Sequence, residues 1–150
     1  MPDPFALPEE PTAADAIATI GEDLALLEDM PQEYYQHIMD AARRLPPFPP
    51  AWQDDAHYVP GCQAKVWMEH AERDGRLYFA ATSDSKIVAG LLGLLLRIYS
   101  GRPPAEILAV DPDSLQDLGL VQSLSTNRGN GVASMARRIR DTAAACKAAA

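Results

Sequence analysis

The stretch SDSKIVAGLLGLLLRIYSG, residues 83–101, decides the architecture. Ile87, Leu91, Leu94 and Ile98 recur at helical spacing, and the positions between them are nearly all apolar as well. A helix that is apolar all round has no face for water, so it is read as the buried central element. Its apolar run, Ile87 to Leu96, is well short of the ~20 residues that span a bilayer. Gly90 and Gly93 inside that run point to close packing in a soluble core, and Gly101 stops the helix.

Working toward the N-terminus, Lys65 to Ala71 and Arg76 to Ala81 alternate in side-chain character. Asp74-Gly75 between them is a strong hairpin signal. Val66, Met68 and His70 fall on one face of the first strand, Trp67 and Glu69 on the other. Because a two-stranded sheet is marginal, a segment around His57 to Val59 is expected to add a third strand. Pro46-Pro47-Phe48-Pro49-Pro50 forbids helix and sheet and reads as an extended connector. Before it, Tyr35, Ile38, Ala42 and Leu45 mark one face of a short helix opened by Pro31. Thr12 resembles an N-cap with Asp15 in the first turn, and Ile17, Ile20, Leu24 and Leu27 carry a helix from about 13 to 29. Residues 1–11 hold Pro2, Pro4, Pro8 and Pro11 and are predicted to be a loose arm.

Toward the C-terminus, Pro103-Pro104 and Asp111-Pro112 open two short helical turns. Thr126 or Asn127 begins a last helix with Val132, Met135 and Ile139 facing inward and Arg137, Arg138 and Arg140 largely outward. Its alanine-rich end around Cys146 is expected to fray. Two helices, short strands and then several helices describe an α+β fold, a small antiparallel sheet of about three strands covered by helices. The 150 residues suit one domain, 1–150.

Composition narrows the function classes. At 47% hydrophobic and 23% charged the chain is globular rather than disordered. A net charge of −8 argues against a nucleic-acid partner, because neutralising phosphates needs clustered Lys and Arg. Residues 1–75 carry 15 acidic against 4 basic side chains, while residues 76–150 carry 6 against 9, an asymmetry that favours oriented docking on another protein. Two cysteines, Cys62 and Cys146, exclude a disulfide framework and a four-cysteine zinc site within the chain. No leader or membrane segment is read, so a cytoplasmic location with reduced thiols is expected.

The chemistry centres on Val59-Pro60-Gly61-Cys62-Gln63-Ala64-Lys65-Val66-Trp67. Pro60 and Gly61 put Cys62 on a loop just before a strand, where it can reach a partner; the alternative is a small buried hydrophobe. Activation of the thiol needs cationic or hydrogen-bonding help, for which His57, Lys65 and Arg128 are candidates. A thiol hydrolase with His57, His70 or His37 as base is a second reading, although no spacing singles one out. No Cys or His pair has metal-ligand spacing. The run SLSTNRGNGVASM, residues 123–135, sets Arg128 between Asn127 and Gly129 at a helix start, a place that favours anions or serves as ordinary capping.

These segments together resemble the SufE family of cysteine desulfuration proteins. The matching runs are VPGCQAKVW (59–67), SDSKIVAGLLGLLLRIYSG (83–101), PPAEILAVDP (103–112), LGLVQSLS (118–125) and NRGNGVASM (127–135), in the family's order. The leading Gln32-Glu33-Tyr34-Tyr35 and Leu45-Pro46-Pro47 fit as well. Ala64 stands where many members carry Ser, and Thr126-Asn127 precedes the Arg where Ser is frequent. The resemblance implies a SufE/IscU-like sandwich and a sulfur-acceptor role beside a pyridoxal-phosphate cysteine desulfurase. Cys62 would take the persulfide sulfur and pass it to an iron–sulfur cluster scaffold. By the same resemblance Arg128 supports transfer, Asp84 restrains the loop, and Gly61 and Gln63 shape it. The cofactor belongs to the partner, so none is expected on this chain, and neither a metal, a membrane nor a nucleic acid is expected. A homodimer stays open, as does a desulfurase-binding regulatory module without sulfur transfer. Cys62 is expected to rest partly covered by apolar neighbours such as Val59 and Trp67.

Overall fold

The computed structural model describes residues 2–61, 64–111, 114–115, 118 and 126–149, with only the backbone described for 126–131. Helix α1 spans Ala13–Leu26, and the Thr12 hydroxyl caps it by accepting from the Asp15 N–H. Helix α2 spans Pro31–Asp40 with Pro31 in its first turn, where a missing N–H costs nothing. A 3-10 turn over Ala41–Arg44 prolongs it, and a second over Pro50–Trp52 follows the proline run. Strands β1 (Val66–Arg73) and β2 (Arg76–Ser83) pair antiparallel from Val66↔Ser83 to Arg73↔Arg76. The two-residue loop Asp74-Gly75 has φ of 54° and 79°, the left-handed pair that matches the twist of a tight hairpin. Helix α3 spans Lys86–Tyr99, α4 Pro104–Ala109 and α5 Thr126–Ala149.

Helix α3 is the core element, as its sequence requires. Twelve of its residues are buried, and it packs on α1, α2, β2 and α5. Each fully buried Leu or Ile there contributes about 1.5–3 kcal/mol relative to exposure. Gly90 and Gly93 face the α2 side so closely that added Cβ atoms would lie 2.0 Å from the Ile38 carbonyl oxygen and 2.2 Å from that of Ala41. Backbone therefore meets backbone along this seam. Capping falls on Ser85, whose hydroxyl accepts from Val88 N–H, rather than on Ser83-Asp84.

Several expectations change. The predicted third strand, His57 to Val59, is a single bridge, Tyr58↔Trp67, framed by Val59 N–H to Val66 O at 2.8 Å and Met68 N–H to His57 O at 2.9 Å. The pairing ends where the chain turns over Pro60 and Gly61, whose φ is +91°. Residues 1–11 are no loose arm: Phe5 and Ala6 are buried, Ala6 N–H donates to Phe79 O, and the Ser100 hydroxyl donates to Ala6 O while accepting Phe79 N–H. Glu10 pairs with Arg97 at 2.5 Å, and Asp3 with Arg73 at 2.7 Å. Buried Arg102 donates to the carbonyls of Ile98, Arg97 and Glu10. On the α2 segment Ile38 and Leu45 face the core as predicted, but Tyr34 and Ala41 take the inward places expected of Tyr35 and Ala42, and Tyr35 is exposed. The C-terminal helix runs on to Ala149, with Cys146 half-buried against the core instead of fraying.

Candidate functional site

The segment before residue 62 and the segment after it are each fastened to the body. Upstream, Val59 is buried and bonded to Val66 O. Downstream, Lys65 and Asp84 bond reciprocally: Lys65 N–H donates to the Asp84 carboxylate at 3.0 Å, and Asp84 N–H donates to Lys65 O at 3.3 Å. This pair continues the hairpin ladder one step past Val66↔Ser83, so the position of Asp84 follows from strand register. Cys62 and Gln63 themselves lie outside the described residues, and with them the expectation that Cys62 is covered at rest. Pro60, Gly61 and Lys65 are exposed.

Gly61 has φ of +91°, a conformation that disfavours any side chain. A Cβ there would also sit 2.6 Å from Ser134 Oγ, so the loop rests directly on α5 at a small residue. Beside this contact Val59, Pro60, Ser134, Arg137, Arg138 and Asp141 line a recess of about 230 Å³. Arg128 belongs to the first turns of α5, and its side chain lies outside the described residues. Ser134 was not singled out by sequence reasoning. The signal was present in NRGNGVASM, where small residues persist on a helix that elsewhere carries Met, Ile and Arg.

The histidines separate clearly. His57 Nδ1 lies 2.6 Å from Asp54 Oδ1 and its Nε2 lies 2.7 Å from Glu69 Oε2. The Asp54 hydrogen bond, then that of Glu69, hold its pKa above the ordinary 6.5 against the opposing effect of burial. Both ring nitrogens are thus engaged by carboxylates, which orient the ring toward Asp54 and Glu69. His70 is exposed, and His37 is half-buried on α2. Among the described residues no group of three His, Cys, Asp or Glu could hold a metal ion, and no helix is long and apolar enough to cross a membrane.

The sequence model of the SufE family, described as the Fe-S metabolism associated domain, matches residues 18–143. The chain belongs to the SufE family. An uncharacterized SufE-like protein of Rhizobium meliloti is 35% identical over 127 residues, covering 81% of this chain and 90% of that protein. The sulfur acceptor protein CsdE of Escherichia coli is 32% identical over 123 residues, covering 81% and 83%. A solution structure of a hypothetical protein from Thermus thermophilus matches with a TM-score of 0.66 at 22% identity, covering 83% of this chain and 92% of that one. That likeness shows a shared fold, α+β with a two-stranded antiparallel sheet among the described residues. The SufE match spans both segments flanking Cys62, the Asp84 anchor and Ser134.

Proposed function

We propose that this chain is a sulfur acceptor: Cys62 takes the outer sulfur of a persulfide formed on a cysteine desulfurase and later yields it to an iron–sulfur cluster scaffold. The observation that carries the reading is SufE membership over residues 18–143, with a named sulfur acceptor among the relatives at 32% identity. The fastening on both sides of residue 62 supports it, since two anchored flanks limit how far the short segment between them can stray.

In the step itself the Cys62 thiolate attacks the outer sulfur of the desulfurase Cys–S–SH. The new S–S bond forms as the old one breaks, and the desulfurase thiolate leaves with the electron pair. The transferred sulfur keeps its oxidation level, so no oxidant, metal or cofactor on this chain enters the balance; pyridoxal phosphate serves the partner. Arg128 would stabilise the anionic sulfur, Asp84 would restrain the loop through Lys65, and Gly61 and Gln63 would shape it. A chain acting this way is an accessory to the desulfurase and not a free-standing enzyme.

Intact-mass measurement after incubation with a desulfurase and free cysteine tests the reading. One added sulfur, mapped to Cys62 and absent from Cys62→Ser, is the expected result. Undiminished desulfurase stimulation by Cys62→Ser would instead favour a module that docks without carrying sulfur.

A further inference from the structure

His57 and Glu69 flank the VPGCQAKVW segment without belonging to it, yet they control where its upstream limb lies. The His57 ring joins Asp54, in the turn before the limb, to Glu69 on β1. It stacks on Trp52 with centroids 5.8 Å apart and an interplanar angle of 17°, and its side chain is only 17% exposed. This link crosses the same seam as the two backbone bonds, Val59 N–H to Val66 O and Met68 N–H to His57 O. A neutral imidazole has one N–H and can donate to only one of the two carboxylates, whereas an imidazolium donates to both. Facing the ring are Asp54 from the turn and Glu69 from β1. His70 lies beside Glu69, and Arg138 of α5 shares the adjoining recess.

We propose that His57, as its imidazolium, is a positioning residue for sulfur acceptance: it locks the limb His57–Val59 to β1 and so fixes where the chain enters the segment of Cys62. The consequence for transfer rests on the reading of Cys62 as the acceptor, but the lock itself does not.

Amide hydrogen exchange at Val59 and Met68 in the full chain tests the lock, comparing wild type with His57→Gln so that intrinsic exchange cancels. Near about pH 6 both amides exchange about fivefold faster in the variant. The ratio falls to one as pH rises past the His57 pKa, because the wild type then loses the same link. Ala6, across the hairpin, keeps equal rates throughout. A ratio of one at every pH, or a raised ratio that ignores pH, overturns the proposal, the latter because packing alone would produce it. If His57→Gln does not fold, Glu69→Ala, which removes the acceptor on β1 and leaves the ring, is measured the same way with the same expectation.

Persulfide acquisition by Cys62 is followed in parallel and slows about fivefold in His57→Gln at low pH, converging with wild type at high pH. Unchanged acquisition with altered exchange overturns the positioning role. Absence of acquisition in wild type with the expected exchange ratio sinks the sulfur-acceptor reading and the positioning role with it, while the lock stands.

Discussion

Along α3, two glycines let carbonyl oxygens of the α2 segment approach to where side chains would stand, and the residues of the joint are buried. Around residues 59–65 the fastening is different in kind. Single backbone bonds at His57, Val59 and Lys65, one carboxylate, one ring between two acids and one glycine on a serine hold it, each separable from the others. The first joint fails only when the whole molecule unfolds. The second can loosen piece by piece at small cost, which is the property a segment needs if its thiol must meet an external partner.

The largest effect is expected at the first joint. Helix propensity alone makes Gly90→Ala stabilising by about 1 kcal/mol. The 2.0 Å approach to Ile38 O makes it destabilising, and we expect a net loss of about 3 kcal/mol in chemical denaturation. A stabilised variant would erase the contrast. Next comes Gly61→Ala, where the left-handed φ and the Ser134 contact together cost about 1–2 kcal/mol. Adding Ser134→Ala removes the hydroxyl oxygen that an added Cβ would meet at 2.6 Å and leaves the backbone part, so partial recovery of the midpoint is the expected reading.

A smaller, pH-dependent effect belongs to Glu10. Hydrogen bonds from Arg97 hold its pKa below the ordinary 4.5 despite burial. A depressed carboxylate contributes stability that is fully present above 4.5 and lost as pH falls through its folded value. Glu10→Gln therefore lowers stability by about 1 kcal/mol at neutral pH, and thermal melts of the two proteins converge in acid. The smallest change in stability is expected for Asp84→Ala, about 0.5–1 kcal/mol, as one hydrogen bond to Lys65 N–H is lost. Its alkylation rate at Cys62 nevertheless rises several-fold, about as much as one such bond allows. A large loss of stability with unchanged alkylation would reverse the roles assigned to the two regions.

What could be read in advance follows the same division. The α3 burial, the Thr12 cap and the Asp74-Gly75 turn are legible because each is enforced within a few residues by period, capping or φ. Asp84 came from family likeness, whereas its bond to Lys65 appears only in the structure, one step past the last pair of the hairpin. The pinned arm escaped because its bonds run from Ala6 to Phe79 and from Glu10 to Arg97, separations no local pattern encodes. The His57 segment is expected as a strand because a two-stranded sheet is marginal, and the turn at Pro60-Gly61 limits it to a single bridge. Ser134 escaped because a small residue on a helix signals a close approach without saying of what.

The hairpin's outer rims lead to one last point. β1 is flanked by the His57–Val59 limb, and β2 by Ala6 on one stretch and Arg102 on another, each through main-chain bonds. A free strand of this length invites another chain to add to it, and here each margin is taken along part of its length. Trimming the first six residues would bare part of β2 and give neighbouring molecules a template for stacking, so tags and fusions belong at the other terminus.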